Sequence, residues 1–151
     1  MNSTVKTWLG KSREELDDIY RYAEAGEIPA GDTQGTAILA GSKFSKSAAF
    51  FARILAWQGK VFDLFATDRQ SGILVNKITP FGLKFIVAKV YRDKSWLDGK
   101  DTIVIDYSKT SFLAKVIRDE IREIESGVYL GKVWCGKKRI LDFALTLNNN
   151  D

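Results

Sequence analysis

The sequence predicts a mainly β protein, a small antiparallel barrel with one or two helices near its N-terminus. Three observations carry this. From Lys60 onward, β-branched and aromatic runs recur, separated by short segments rich in turn-forming residues. The clearest run, 141–147, alternates Leu141, Phe143, Leu145 and Leu147 with Asp142, Ala144 and Thr146, the period of a strand with one buried face. Twelve glycines against two prolines suit many short turns rather than a disordered linker. The alternative architecture is an α+β cone, a curved antiparallel sheet wrapped around helices.

The elements follow in order. Ser12 and Glu15 have the spacing of a capping box, and Leu16, Ile19, Tyr20 and Ala23 then recur at three and four. With Gly26 as a stop and Pro29 beyond it, this predicts a helix over 13–25. TAILA (36–40) reads as a short buried strand. SAAFFARILAWQ (47–58), between Ser45 as cap and Gly59 as stop, reads as a second helix with Lys46 and Arg53 its only charges. Such a helix is buried or closes a barrel end; a basic, aromatic-rich helix at a lipid surface is the other reading.

Strands are predicted at VFDLFA (61–66), GILVNKI (72–78), LKFIVAKVY (83–91) and TIVIDY (102–107), the last preceded by the hairpin-type turn LDGK. CGKK (135–138) joins VYLGKVW (128–134) to the final strand. The run 111–127 fits two templates. Leu113, Ile117, Ile121 and Ile124 have helical spacing, yet a turn over 109–115 followed by a strand over 116–125 fits better.

That choice matters for function. On a strand, Ile117, Asp119 and Ile121 share one face, so a carboxylate sits where burial is expected. An ionised carboxylate is not buried cheaply without a partner, so a polar cluster in an apolar setting is implied, as in the lining of a small binding cavity. On a helix, Asp119 and Glu120 would lie on a solvated flank.

Length and composition bound the class. A chain of 151 residues makes one domain with one core, with 1–10 and 148–151 expected to be flexible. Hydrophobic content of 45% and charged content of 28% are ordinary for a soluble globular protein. The net charge of +4 is spread among interspersed acids and bases, so no nucleic-acid partner is expected. With one cysteine and no histidine, an intrachain disulfide, a His-based triad, a His zinc site and proximal-His haem ligation are excluded. No metal or cofactor is called for. No apolar run has the length of a signal peptide core or a transmembrane helix, so the default location is cytoplasmic, with peripheral membrane contact left open.

Candidate ligand-binding residues are Trp57, Phe62, Tyr91, Tyr107, Tyr129 and Trp134, together with Arg118 and Asp119. The aromatic rings supply apolar surface and the tyrosine hydroxyls a polar tip. Trp57 and Trp134 are large, and filling a barrel base or core is the first reading for them, ligand stacking the second. Arg118, Asp119, Glu120 and Arg122 form a dense charge cluster. It is either an exposed, salt-bridged face or, through Asp119, Asp106 and a neighbouring cation, a polar anchor in the cavity. If the protein is an enzyme, Asp119 and Asp106 are the candidate general bases, activated by burial. Cys135 reads as a free, partly buried thiol. Glycine-rich phosphate loops and calcium-loop spacings do not occur in the sequence.

Trp57, Gly59, Lys60 and Phe62 (W-x-G-K-x-F), an Asn-containing strand, Val90-Tyr91, Asp106-Tyr107, R-D-E-I-R (118–122) and Y-L-G-K-V-W (129–134) follow in order. This succession resembles the small lipocalin-like proteins of the calycin type, including the GXWXG group, over roughly residues 35–147. There, a late strand carrying acids and bases precedes one with a leucine-glycine step, here Leu130-Gly131. The resemblance implies an antiparallel barrel that binds a hydrophobic or amphipathic small molecule. The chain departs from the haem-binding members in having no histidine. It also has Gly35-Thr36-Ala37 where a Gly-x-Trp is expected. A carrier or sensor of such a molecule is the first functional expectation, and a cofactor-free isomerase or cyclase the second.

Overall fold

The computed structural model describes residues 1–40, 60–64, 71–76, 86–108 and 115–148. Eight strands close into an antiparallel barrel in chain order: β1 (Gly31–Ile38), β2 (Lys60–Leu64), β3 (Ser71–Asn76), β4 (Ile86–Lys94), β5 (Asp101–Asp106), β6 (Ile117–Glu125), β7 (Val128–Cys135) and β8 (Lys138–Leu147). Each strand pairs with the next, and β8 returns to β1 with Thr33 opposite Leu147 and Ile38 opposite Asp142. The mixed run is therefore a strand over 117–125, and the sheet closes on itself rather than forming an open cone.

Alternation decides what fills the barrel. Ile103 and Ile105 of β5, Ile121 of β6, Tyr129 and Val133 of β7, and Leu141, Phe143 and Leu145 of β8 form one buried cluster with Ala88 and Val90 of β4. The tight turns between strands use glycine where backbone φ is positive, as at Gly99 in the predicted LDGK turn.

Two helices pack on the outside. Residues 1–10 are not a flexible tail: α1 (Ser3–Trp8) is capped by the Asn2 side chain, which accepts from the N–H groups of Thr4 and Val5. Helix α2 (Arg13–Tyr22) begins with the predicted capping box, both halves of which form. It stops at Tyr22, three residues earlier than its apolar spacing suggests, because Ala23 is already extended. Val5, Trp8, Leu16 and Tyr20 cover Ile38, Ala40, Val128, Leu130 and Ala144 on the outer face of the sheet. Each large apolar side chain so buried contributes about 1.5–3 kcal/mol. Strand β7 is consequently buried on both faces over Val128–Trp134.

The chain between α2 and β1 then closes one end of the barrel. Ile28 joins the interior cluster. The backbone around it is held from inside: Tyr129 Oη donates to the Glu27 carbonyl at 2.9 Å, and Arg92 Nη2 to the Gly26 carbonyl at 2.5 Å. The Glu123 carboxylate accepts from the Glu27 N–H at 3.1 Å.

Other boundaries shift modestly. β1 starts at Gly31 rather than Thr36, and β4 runs on to Lys94. Asn148, expected in a loose tail, donates its backbone N–H to the Asp32 carbonyl at 3.0 Å. The predicted helix over 47–58, most of the 109–115 turn, and 65–66, 77–78, 83–85 and 149–151 lie outside the described residues.

Candidate functional site

Among the described residues, a hydrogen-bonded tyrosine–aspartate pair lies deep in the mostly apolar barrel interior. Register sets Asp119 opposite Ile105 on one side and Val133 on the other, all on the inward phase. Asp119 is 1% exposed, and Tyr107 Oη donates to its Oδ2 at 3.2 Å. Tyr107 belongs to the same cluster as Ile105, Ile121, Val133 and Leu141. The shared face of Ile117, Asp119 and Ile121 is thus the inner face, and the buried carboxyl has the hydrogen bond that burial demands. Tyr129 also points inward, but at the closed end, where its hydroxyl serves the Glu27 carbonyl. Burial, and then the charge of Glu123, push that phenol's pKa up.

Arg118, Tyr91, Asp106 and Trp134 are not brought to this site. Arg118 alternates with Asp119 and so lies on the outer face, in a cross-strand row that runs Lys89, Asp106, Arg118, Trp134 and Arg139 from β4 to β8. It donates to Glu120 at 3.1 Å, Asp93 at 3.3 Å and the Lys94 carbonyl at 2.7 Å. Tyr91 is outside too, its hydroxyl donating to Asp106 at 3.3 Å. Burial raises the Asp106 carboxyl, but bonds from Ser108 and Tyr91 outweigh it and hold the pKa below the usual value. An anchor combining Asp119 with Asp106 and Arg118 is therefore not assembled: neighbours on a strand face opposite ways. Trp134 likewise fills an outer position, not the barrel base. Phe62 sits in β2, in register with Gly31 and Leu74, and Trp57 falls outside the described residues.

Between α2 and the sheet lies a buried charged layer that sequence reasoning did not single out as such. Lys132, fully buried, is 2.9 Å from Asp17 and 3.0 Å from Asp142, and Arg139 Nη2 reaches both carboxylates at 2.6 Å. Burial pulls the Lys132 ammonium down, against the pull of Asp142 and Asp17. Arg122, also fully buried, grips Asp98 through two bonds of 2.7 Å and the Tyr20 carbonyl at 2.8 Å. Glu120 accepts from the Ser95 hydroxyl at 2.6 Å and the Trp96 N–H at 2.8 Å. Charges fall on both parities of β6 because both of its faces are covered. The outward phase of β7 and β8 hints at this, since Lys132 and Asp142 alternate there with Leu130 and Ala144.

Among the described residues, no grouping of three or more His, Cys, Asp or Glu could hold a metal ion, and no helix is long and apolar enough to cross a membrane. Cys135 is a free, half-buried thiol at the end of β7.

The fold and site define a class: a small up-and-down antiparallel barrel with an apolar, carboxyl-bearing interior. No family model and no curated protein sequence matches the chain. The crystal structure of a protein from Thermomonospora curvata is similar over 97% of this chain and 95% of that one, with a TM-score of 0.65 and 16% identity. At that identity the likeness is one of fold.

Proposed function

We propose that the chain is a lipocalin-like carrier or sensor that holds a hydrophobic or amphipathic small molecule inside the barrel. The observation that carries this reading is the Tyr107–Asp119 hydrogen bond buried in a mostly apolar interior. Apolar walls provide affinity without direction, and one hydroxyl–carboxyl pair fixes the orientation of a ligand's polar head. An ionised carboxylate is an acceptor, so its chemistry matches a head group that donates, such as a hydroxyl or amine. Native mass spectrometry beside denaturing extraction tests the reading. A co-purifying lipid-like molecule, displaced by an apolar fluorescent probe and held more weakly by Tyr107→Phe, supports it. Delipidated protein that takes up no probe defeats it.

A second reading is supported by the same 3.2 Å contact. A carboxylate within reach of a second polar group is what a cofactor-free isomerase needs, with Asp119 as base and Tyr107 as proton donor. Solvent deuterium appearing in the extracted ligand with the wild type, and not with Asp119→Asn, would favour it over a carrier.

A further inference from the structure

We propose a separate site on the outer face of the barrel for a carboxylate or phosphate oxygen, bound between the Trp134 indole N–H and the Arg139 Nε–H. The two residues face each other across the β7–β8 ladder, and the Arg139 guanidinium carbon stands 5.7 Å from the Trp134 ring centroid. Both side chains are about nine-tenths buried, at 8% exposure. Both N–H groups are sealed from solvent and neither has an acceptor. Two such donors on residues paired across a ladder are unusual, since a buried donor without an acceptor loses its hydration with no return. Indole and guanidinium nitrogens only donate, so only an incoming acceptor completes them.

Charge selects the kind of acceptor. Arg139 spends Nη2 on Asp17 and Asp142, and those two carboxylates are matched by Lys132 and Arg139. Lys137 adds a positive charge that makes no ion pair among the described residues. Its ammonium lies 4.3 Å from the centroid of the Trp96 ring. Trp96 meets Trp134 edge-on at 5.9 Å and is 38% exposed, so it links the buried indole to the surface. An oxyanion bound here gains two donors in a partly dry setting and the nearby charge of Lys137.

The test is titration of the full chain with inorganic phosphate and, separately, acetate, at constant ionic strength with chloride as control. The readout is the indole N–H resonances of the protein's four tryptophans. The expected result is a saturable shift of the Trp134 indole resonance, with affinity reduced about tenfold in Trp134→Phe, the loss of one charge-assisted bond. Comparing the two anions tells a phosphate site from a carboxylate site. A Trp134 resonance unmoved by either anion, or undiminished binding to a folded Trp134→Phe, would assign the two donors to ordered water and overturn the proposal. The resonance shift is read on wild-type protein, so the test stands even if the variant fails to fold.

Discussion

The Phe143 ring lies directly over the Cα of Gly131, its partner across the β7–β8 ladder, so that a Cβ at Gly131 would fall within the ring's own volume. The glycine of the Leu130-Gly131 step is thus a packing position of the barrel interior, not a turn. Gly131→Ala should destabilise the protein by about 1–3 kcal/mol through overpacking. Adding Phe143→Leu should give a double variant less destabilised than the sum of the singles. Urea denaturation of the three variants measures this.

Tyr107→Phe removes the hydroxyl that donates to Asp119 and leaves the ring in place. The carboxyl stays buried with one bond fewer, so a loss of about 1–3 kcal/mol is expected. Equilibrium unfolding in urea of Tyr107→Phe beside the wild type measures this.

Lys132→Met tests the layer under α2. It leaves Asp17 and Asp142 facing Arg139 alone in a buried setting. Breaking one side of a buried charge network costs about 3–5 kcal/mol. Hydrogen exchange should show the α2 amides losing protection before those of β5–β8.

Acid should weaken the same layer. Burial raises the Asp17 carboxyl, but bonds from Arg139 and Lys132 outweigh it; at Asp98, burial is outweighed by Arg122. Both therefore titrate, when folded, below the ordinary value of 3.8. The sign follows: their contribution is complete above that value and is lost as pH falls through the lower folded values. Asp17→Asn should cost more stability at about pH 7 than at about pH 2.5, as urea midpoints across the range would show.

How far the sequence revealed this arrangement depended on distance along the chain. The alternation of 141–147, the capping box at Ser12, and the inward placement of Asp119 with Ile117 and Ile121 are local patterns, and each is found in the structure. Strand parity also separates Arg118 from Asp119, a conclusion available from the sequence alone. The layer under α2 joins Asp17 to Lys132 and Tyr20 to Thr102, contacts more than 80 residues apart. No periodicity encodes such pairs; they exist only once the barrel has closed and α2 has docked. Val5 and Trp8 escaped notice for the same reason, since a six-residue helix shows its apolar face only against the sheet it covers.

Gly26 supplies the last prediction. Its φ of +73° suits glycine, and a Cβ there would run into the Cβ and carboxylate of Glu123. The same peptide offers its carbonyl to Arg92, while Glu123 holds the next N–H. Backbone strain and collision thus act together at the point where the 23–30 segment seals the barrel. Gly26→Ala should cost about 1–3 kcal/mol. More tellingly, it should loosen the seal without melting the walls: amides of 24–30 should exchange faster while those of β7 and β8 stay protected. If the barrel carries a ligand, release should quicken as well, because an exit opens beside Ile28. Hydrogen exchange resolved by segment, with stopped-flow release of an apolar probe, would distinguish an opened end from a generally weakened fold.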